Sequence, residues 1–291
     1  AGEGPRMFPD IGTPIAEAVD TFVDWLVVTH GAFFESVAGV FLAVLVPIEQ
    51  VLRAAPPPVV LAAVALIAFA ASRRLVFAAV MAFLGWLIGC LGLWEPAMQT
   101  VALLSVAVGI AVLVGIPVGV LAARSRIARA AINPLLDLMQ TIPSFVYLIP
   151  AAMLFGLGKV PAILATVVYA TPPLIRLTDL GIREVNRAAV EASRAFGATR
   201  RQVLTGVELP LALPTIMQGI NQTLMMALSM VVIASMIGAR GVGETVLIGL
   251  QRNEPGTGLV GGLVIVLLAV IFDRTTQAIG LRLQAHRQVR S

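Results

Sequence analysis

Charge is scarce in this sequence. Only 12% of its 291 residues are Asp, Glu, Lys or Arg, against about 25% in soluble globular domains. That excludes an ordinary water-soluble domain. Lysine occurs once, at Lys159, cysteine once, at Cys90, and histidine twice, at His30 and His286. One cysteine forbids an intrachain disulfide. With two distant histidines it gives no metal-ligand spacing. A phosphate loop needs Ser or Thr after its lysine, and Val160 follows Lys159. No Ser/His/Asp or Cys/His set stands out as catalytic. The chain is therefore expected to hold no cofactor or metal and to catalyse no reaction of its own. The first residues, AGEGPRMFPDIG, lack the basic-then-apolar order of a signal peptide.

Apolar residues are plentiful, at 58% of the chain with a mean hydropathy of +0.95. A helical span needs about 20 of them. Seven spans are predicted, near 58–72, 75–94, 98–123, 135–157, 161–180, 212–238 and 258–280. Two helices precede them. Residues 13–30 place Glu17, Asp20 and Asp24 on one face and Val19, Phe22, Val23 and Leu26 on the other, an interfacial pattern. Residues 33–54 contain an apolar run too short for a span and read as a second interfacial or partly inserted helix. The expected fold is an all-α polytopic membrane protein: an N-terminal amphipathic region 1–56, peripheral spans in 57–94, a main domain 95–280 and a basic tail 281–291.

The net charge of +4 does not point to nucleic acid, because basic residues of membrane proteins gather in cytoplasmic loops. With 188–210 placed in the cytoplasm, all basic residues except Arg6, Arg53, Lys159, Arg240 and Arg252 fall inside. The N-terminus is then expected outside and the C-terminus in the cytoplasm. Pro117, Pro143, Pro150 and Pro172–Pro173 interrupt the spans, and freed carbonyls at membrane depth need a neighbour or a wet cavity.

One polar segment stands between the oily runs: EASRAFGATRRQVLTGVELP, Glu191 to Pro210. Its first part favours helix, and Gly197 stops it. Thr199 is placed to cap a second short helix, with Gly206 expected to end it. The order Glu191-Ala192-Ser193, three residues, Gly197, nine residues, Val207, one residue, Leu209-Pro210 resembles the EAA loop of ABC importer permeases. It departs from the family pattern only at Ser193 for Ala and Val207 for Ile. The stretches LLDLMQTIPSFVYLIPAAMLFGLGKVPAI, TPPLIRLTDLGIREV and LPTIMQGINQTLMMALSMVVIASMIGARGVGE look like permease subunits for glycine betaine, proline betaine and choline.

That resemblance implies a type I ABC importer permease fold with about seven transmembrane helices. It implies a homodimer of permeases in the inner membrane, two copies of an ATPase subunit that bind ATP and Mg, and a separate extracytoplasmic binding protein. Glu191, Ala192, Ser193, Gly197, Val207, Leu209 and Pro210 would couple the chain to the ATPase. A quaternary amine would be the cargo. Another small osmolyte or an amino acid is the first alternative. An ion-coupled secondary transporter is the second, though carboxylates are nearly absent from span centres. Polar residues inside spans are costly and line cavities or bond to other helices. On that ground Gln140, Thr141, Ser144, Tyr147, Asn221, Gln222, Thr223 and Ser229 are candidates for the pathway. Asp137 and Asp179 are expected to pair with nearby arginines.

Overall fold

The computed structural model describes residues 11–288, with side chains to residue 283. The tail beyond 288, with Arg290, and residues 1–10 lie outside the described residues. Those described form helices and no strand.

Helix α1, Gly12–Ala54, is two helices run together across a kink at His30, where φ is −119° and ψ 18°, so the two expected N-terminal helices meet where the sequence placed their boundary. The joined helix contains a window long and apolar enough to cross a membrane. Helices α2, Pro57–Ser72, and α3, Leu75–Cys90, follow. They are shorter apolar helices packed through Ala68, Ala78 and Met81. Arg73 takes a left-handed turn between them, with φ 56°.

The body of the protein is α4, Trp94–Arg124, with α7, Lys159–Ala170, α8, Pro172–Arg183, and α11, Leu209–Ser235. Apolar burial adds little to helix association within lipid, so close backbone approach and hydrogen bonds carry it. Gly115 and Gly119 of α4 supply that approach. A Cβ on Gly119 would lie 2.5 Å from the Thr178 Cβ, so no larger residue fits against α8. Gly219 of α11 similarly abuts the Leu174 backbone. Pro172 and Pro173 open α8 within its first turn, where their missing N–H groups cost nothing.

The predicted fourth span is not one straight helix. It divides into α5, Arg126–Thr141, a 3-10 turn Ser144–Tyr147, and α6, Leu148–Phe155. The parts meet at 107°, because Ile142 and Pro143 take extended ψ values of 128° and 138°. Proline disfavours helical geometry in the residue before it. Three shorter pieces complete the chain: α9, Arg187–Ala195, α10, Arg200–Val203, and α12, Val242–Gln251. The last helix, α13, is Pro255–Gln288.

Ion pairs mark two opposite ends of the body. At one end Lys159 meets the buried Glu49 of α1 at 2.5 Å, and Arg53 bridges Glu49 and Glu95. At the other, Asp179 holds Arg129 and Arg183 at 3.2 and 3.0 Å, and Arg124 meets Glu208 at 3.1 Å. Arg176 meets Asp137 there as well. Both predicted aspartate–arginine pairings are present.

Candidate functional site

The segment 187–210 is built at the second end. Asn186 caps α9 by accepting from the Ala188 N–H at 2.9 Å. Gly197 then turns the chain with φ +82°, a conformation glycine adopts without a Cβ penalty. Its N–H donates to the Arg194 carbonyl at 2.9 Å, and the Ala198 N–H donates to that of Ser193 at 3.2 Å. The new helix is closed by a capping box. The Gln202 N–H donates to the Thr199 Oγ1 at 3.4 Å, and the Thr199 N–H donates to the Gln202 Oε1 at 2.8 Å. Two orphan donors are thereby satisfied reciprocally.

Gly206 does not end that helix. It sits in a π-helical turn, Leu204–Glu208, which runs into α11 without a break. Arg200–Ser235 is one apolar helix of 36 residues. The π turn keeps hydrogen bonds running across a glycine that would otherwise fray, and Leu204 and Leu209 seat it beside Ile182, Val185 and Val190.

The predicted coupling residues divide accordingly. Glu191, Ala192 and Gly197 are exposed, while Ser193, Val207, Leu209 and Pro210 are half-buried. Sequence reasoning missed Phe196, which is 93% exposed at the tip of the turn. It is a large apolar side chain standing free beside a rigid turn. Its signal was a phenylalanine directly before a glycine stop in an otherwise polar segment.

The second half of the site is the open face of the body. Gln140 and Thr141 are exposed at the end of α5, and Ser144 and Tyr147 are half-buried in the 3-10 turn after it. Irregular backbone at membrane depth survives only where protein or water meets it. The break at Ile142–Ser144 therefore cannot face lipid. The Tyr147 hydroxyl donates to the Met139 carbonyl at 2.5 Å, across the break. The Tyr147 and Tyr169 rings lie together over the buried Met230.

On α11 Leu211, Gln218, Gln222 and Ser229 are exposed, as is Met236, which caps its end. Their four- and seven-residue spacings put them on one stripe. Three polar residues on one stripe of a span disfavour a lipid-facing surface. Ser229 also donates to the Met226 carbonyl at 2.7 Å. Two other candidates bond to neighbouring helices. Thr223 is buried and donates to the Ala170 carbonyl at 2.9 Å, a helix-to-helix bond. Asn221 turns to α13, where its Nδ2 donates to Asp273 at 2.7 Å. Asp273, a carboxylate inside the last predicted span, escaped the sequence reading. It stands four residues before Gln277, which also donates to it at 2.7 Å.

A bundle with one broken span, an open polar stripe and a capped, glycine-turned segment at one end defines a multi-pass helical membrane protein. Residues 115–284 match the family described as the binding-protein-dependent transport system inner membrane component. The chain belongs to that family and is the permease subunit of an ABC importer. It is 48% identical over 267 residues to the glycine betaine/proline betaine transport system permease protein ProW of Escherichia coli (strain K12), covering 92% of this chain and 75% of that one. It is 43% identical over 270 residues to the glycine betaine transport system permease protein OpuAB of Bacillus subtilis (strain 168), covering 92% and 95%. Among solved structures, the methionine ABC transporter MetNI in an inward-facing conformation superposes with a TM-score of 0.59 at 25% identity. That likeness covers 66% of this chain and 95% of the other.

Proposed function

We propose that this permease imports glycine betaine, choline or a related quaternary amine, driven by ATP hydrolysis on a partner subunit. Two copies of the chain would enclose the pathway, with two ATPase subunits under the 187–210 segment. ATP and Mg would be bound by those subunits alone. An extracytoplasmic binding protein would deliver the solute to the Lys159 end. The arginine bias puts the C-terminus in the cytoplasm and the N-terminus outside, which requires α1 to lie along the bilayer.

One observation carries the coupling role: the exposed turn at Phe196–Gly197 lies only two residues before Thr199, whose capping box opens the helix that bears the Gln218, Gln222 and Ser229 stripe. Motion imposed at the turn therefore reaches the pathway through continuous helix. The names of ProW and OpuAB support the cargo.

The test is uptake in liposomes holding the permease and its ATPase, with the binding protein supplied. ATP-dependent accumulation of labelled glycine betaine or choline is the expected result. Accumulation of methionine or another amino acid instead would replace the cargo, and uptake that ignores ATP but follows an ion gradient would overturn the coupling.

A further inference from the structure

Asp273 differs from the other carboxylates of the helical body in what holds it. Glu49, Asp179 and Glu208 each meet a lysine or arginine at 3.1 Å or closer, and Asp137 pairs with Arg176. Asp273 accepts two amide protons on one oxygen, from Asn221 and Gln277, while Arg274 stands 3.7 Å from the other oxygen on a largely exposed side chain. Amides orient a carboxylate without cancelling its charge. In a span that is expensive, and such a group marks a pathway by default.

The surroundings complete the site. A cavity of about 500 Å³ is lined by Met217, Gln218, Asn221, Gln222, Thr276 and Gln277 among others, with no Lys or Arg in its wall and Asp273 behind the two amides. The Asn221 Oδ1 is buried there without a partner. Gln218 and Gln222 belong to the exposed stripe, so the cavity opens on the pathway face. Asn221 lies about 18 Å along α11 from Leu209 and about 21 Å from Ser235, near the middle of the helix. A quaternary ammonium has no N–H to donate. It is held by a nearby negative charge and by walls that tolerate its methyl groups, as Met217 and Leu281 do.

We propose that Asn221 and Gln277, with Asp273 behind them, form a cation subsite midway along the pathway, where the ammonium group of the solute rests in transit. This rests on the quaternary-amine reading above. Asn221 and Gln277 line the cavity, and Asp273 supplies the negative charge from behind them while fixing the two amides.

The experiment compares the wild-type complex with Asp273→Asn and Asp273→Glu in liposomes, measuring uptake of labelled glycine betaine and choline beside complex yield and melting temperature. Asn at 273 keeps an oxygen for both amide protons and removes only the charge. The expected result is a fall of about three- to fivefold in uptake, the upper range for a partly exposed charge contact. Choline should be affected more than the zwitterion, melting should not change, and Glu should restore the rate. Wild-type uptake by Asp273→Asn would show that Asp273 only clamps α11 to α13 and would overturn the subsite alone. A rate loss that tracks a lowered melting temperature would do the same. A wild-type complex that imports no quaternary amine would overturn the cargo and the subsite together.

Discussion

The chain's two tyrosines meet: the rings of Tyr147 and Tyr169 lie 6.5 Å apart between centroids, tilted by 51°. Tyrosine is commonest at the membrane–water boundary. Tyr169 stands ten residues into the 25-residue span Lys159–Arg183, near its middle. The pair joins the broken span to the intact one. The Tyr147 hydroxyl is the tie, since it reaches back over the break to Met139. Tyr147→Phe should keep the ring contact and lose that bond, at a cost of about 1 kcal/mol. Thermal melting of the detergent-solubilised protein measures it, and an unchanged melting temperature would show that the bond does not hold the break.

Gly197 is the second test. Its φ of +82° disfavours any L residue by roughly 1–2 kcal/mol. Gly197→Trp should leave insertion and yield intact while uptake disappears, since the bulk would stand beside the exposed Phe196 on the proposed coupling turn. Full uptake by this variant would remove the segment from the coupling role.

Phe196 itself offers a cleaner separation. It touches little of its own chain, so Phe196→Ser should not move the melting temperature. Loss of a buried aromatic anchor typically costs an interface about 2 kcal/mol or more. Co-purification of the ATPase should therefore fall by at least about tenfold. Retention of stoichiometric ATPase would place the docking elsewhere.

At the opposite end, Lys159→Ala would leave Glu49 with one partner, Arg53, at 3.6 Å. A fully buried pair broken on one side costs about 3–5 kcal/mol. The surviving arginine and the partial exposure of Lys159 should reduce this to about 2 kcal/mol. Restoration of the melting temperature by a second change, Glu49→Gln, is expected. No recovery would mean that the pair does not fasten α1 to the body.

Local chemistry was the legible part. The Thr199 cap needs only Gln202 three residues on, and the Gly197 stop needs only a glycine after a helix-forming run. The coupling spacing from Glu191 to Pro210 could be read directly from the residues. Distant pairing could not. Nothing near Asn221 in sequence announces Asp273, because the hydrogen bond joins two spans far apart in the chain. Continuity through Gly206 was hidden for a related reason. The π turn is held by Leu204 and Leu209 against α8 and α9, so a local breaker was overruled by packing. The break at Ile142–Ser144 showed only as one proline among several, and its 107° angle depends on where α5 and α6 are seated.

The close contact between Gly219 and Leu174 has a mechanical consequence. It gives the long helix a fulcrum. From there the rod extends about 30 Å to Thr199 and about 24 Å to Ser235. A rod pivoting at that point moves its two ends in opposite directions, with arms of similar length. Drawing the Thr199 end inward would swing the Ser235 end outward by nearly as much. A seesaw of this kind opens one mouth of a channel as it shuts the other, and it needs no second signal to keep the two from standing open at once.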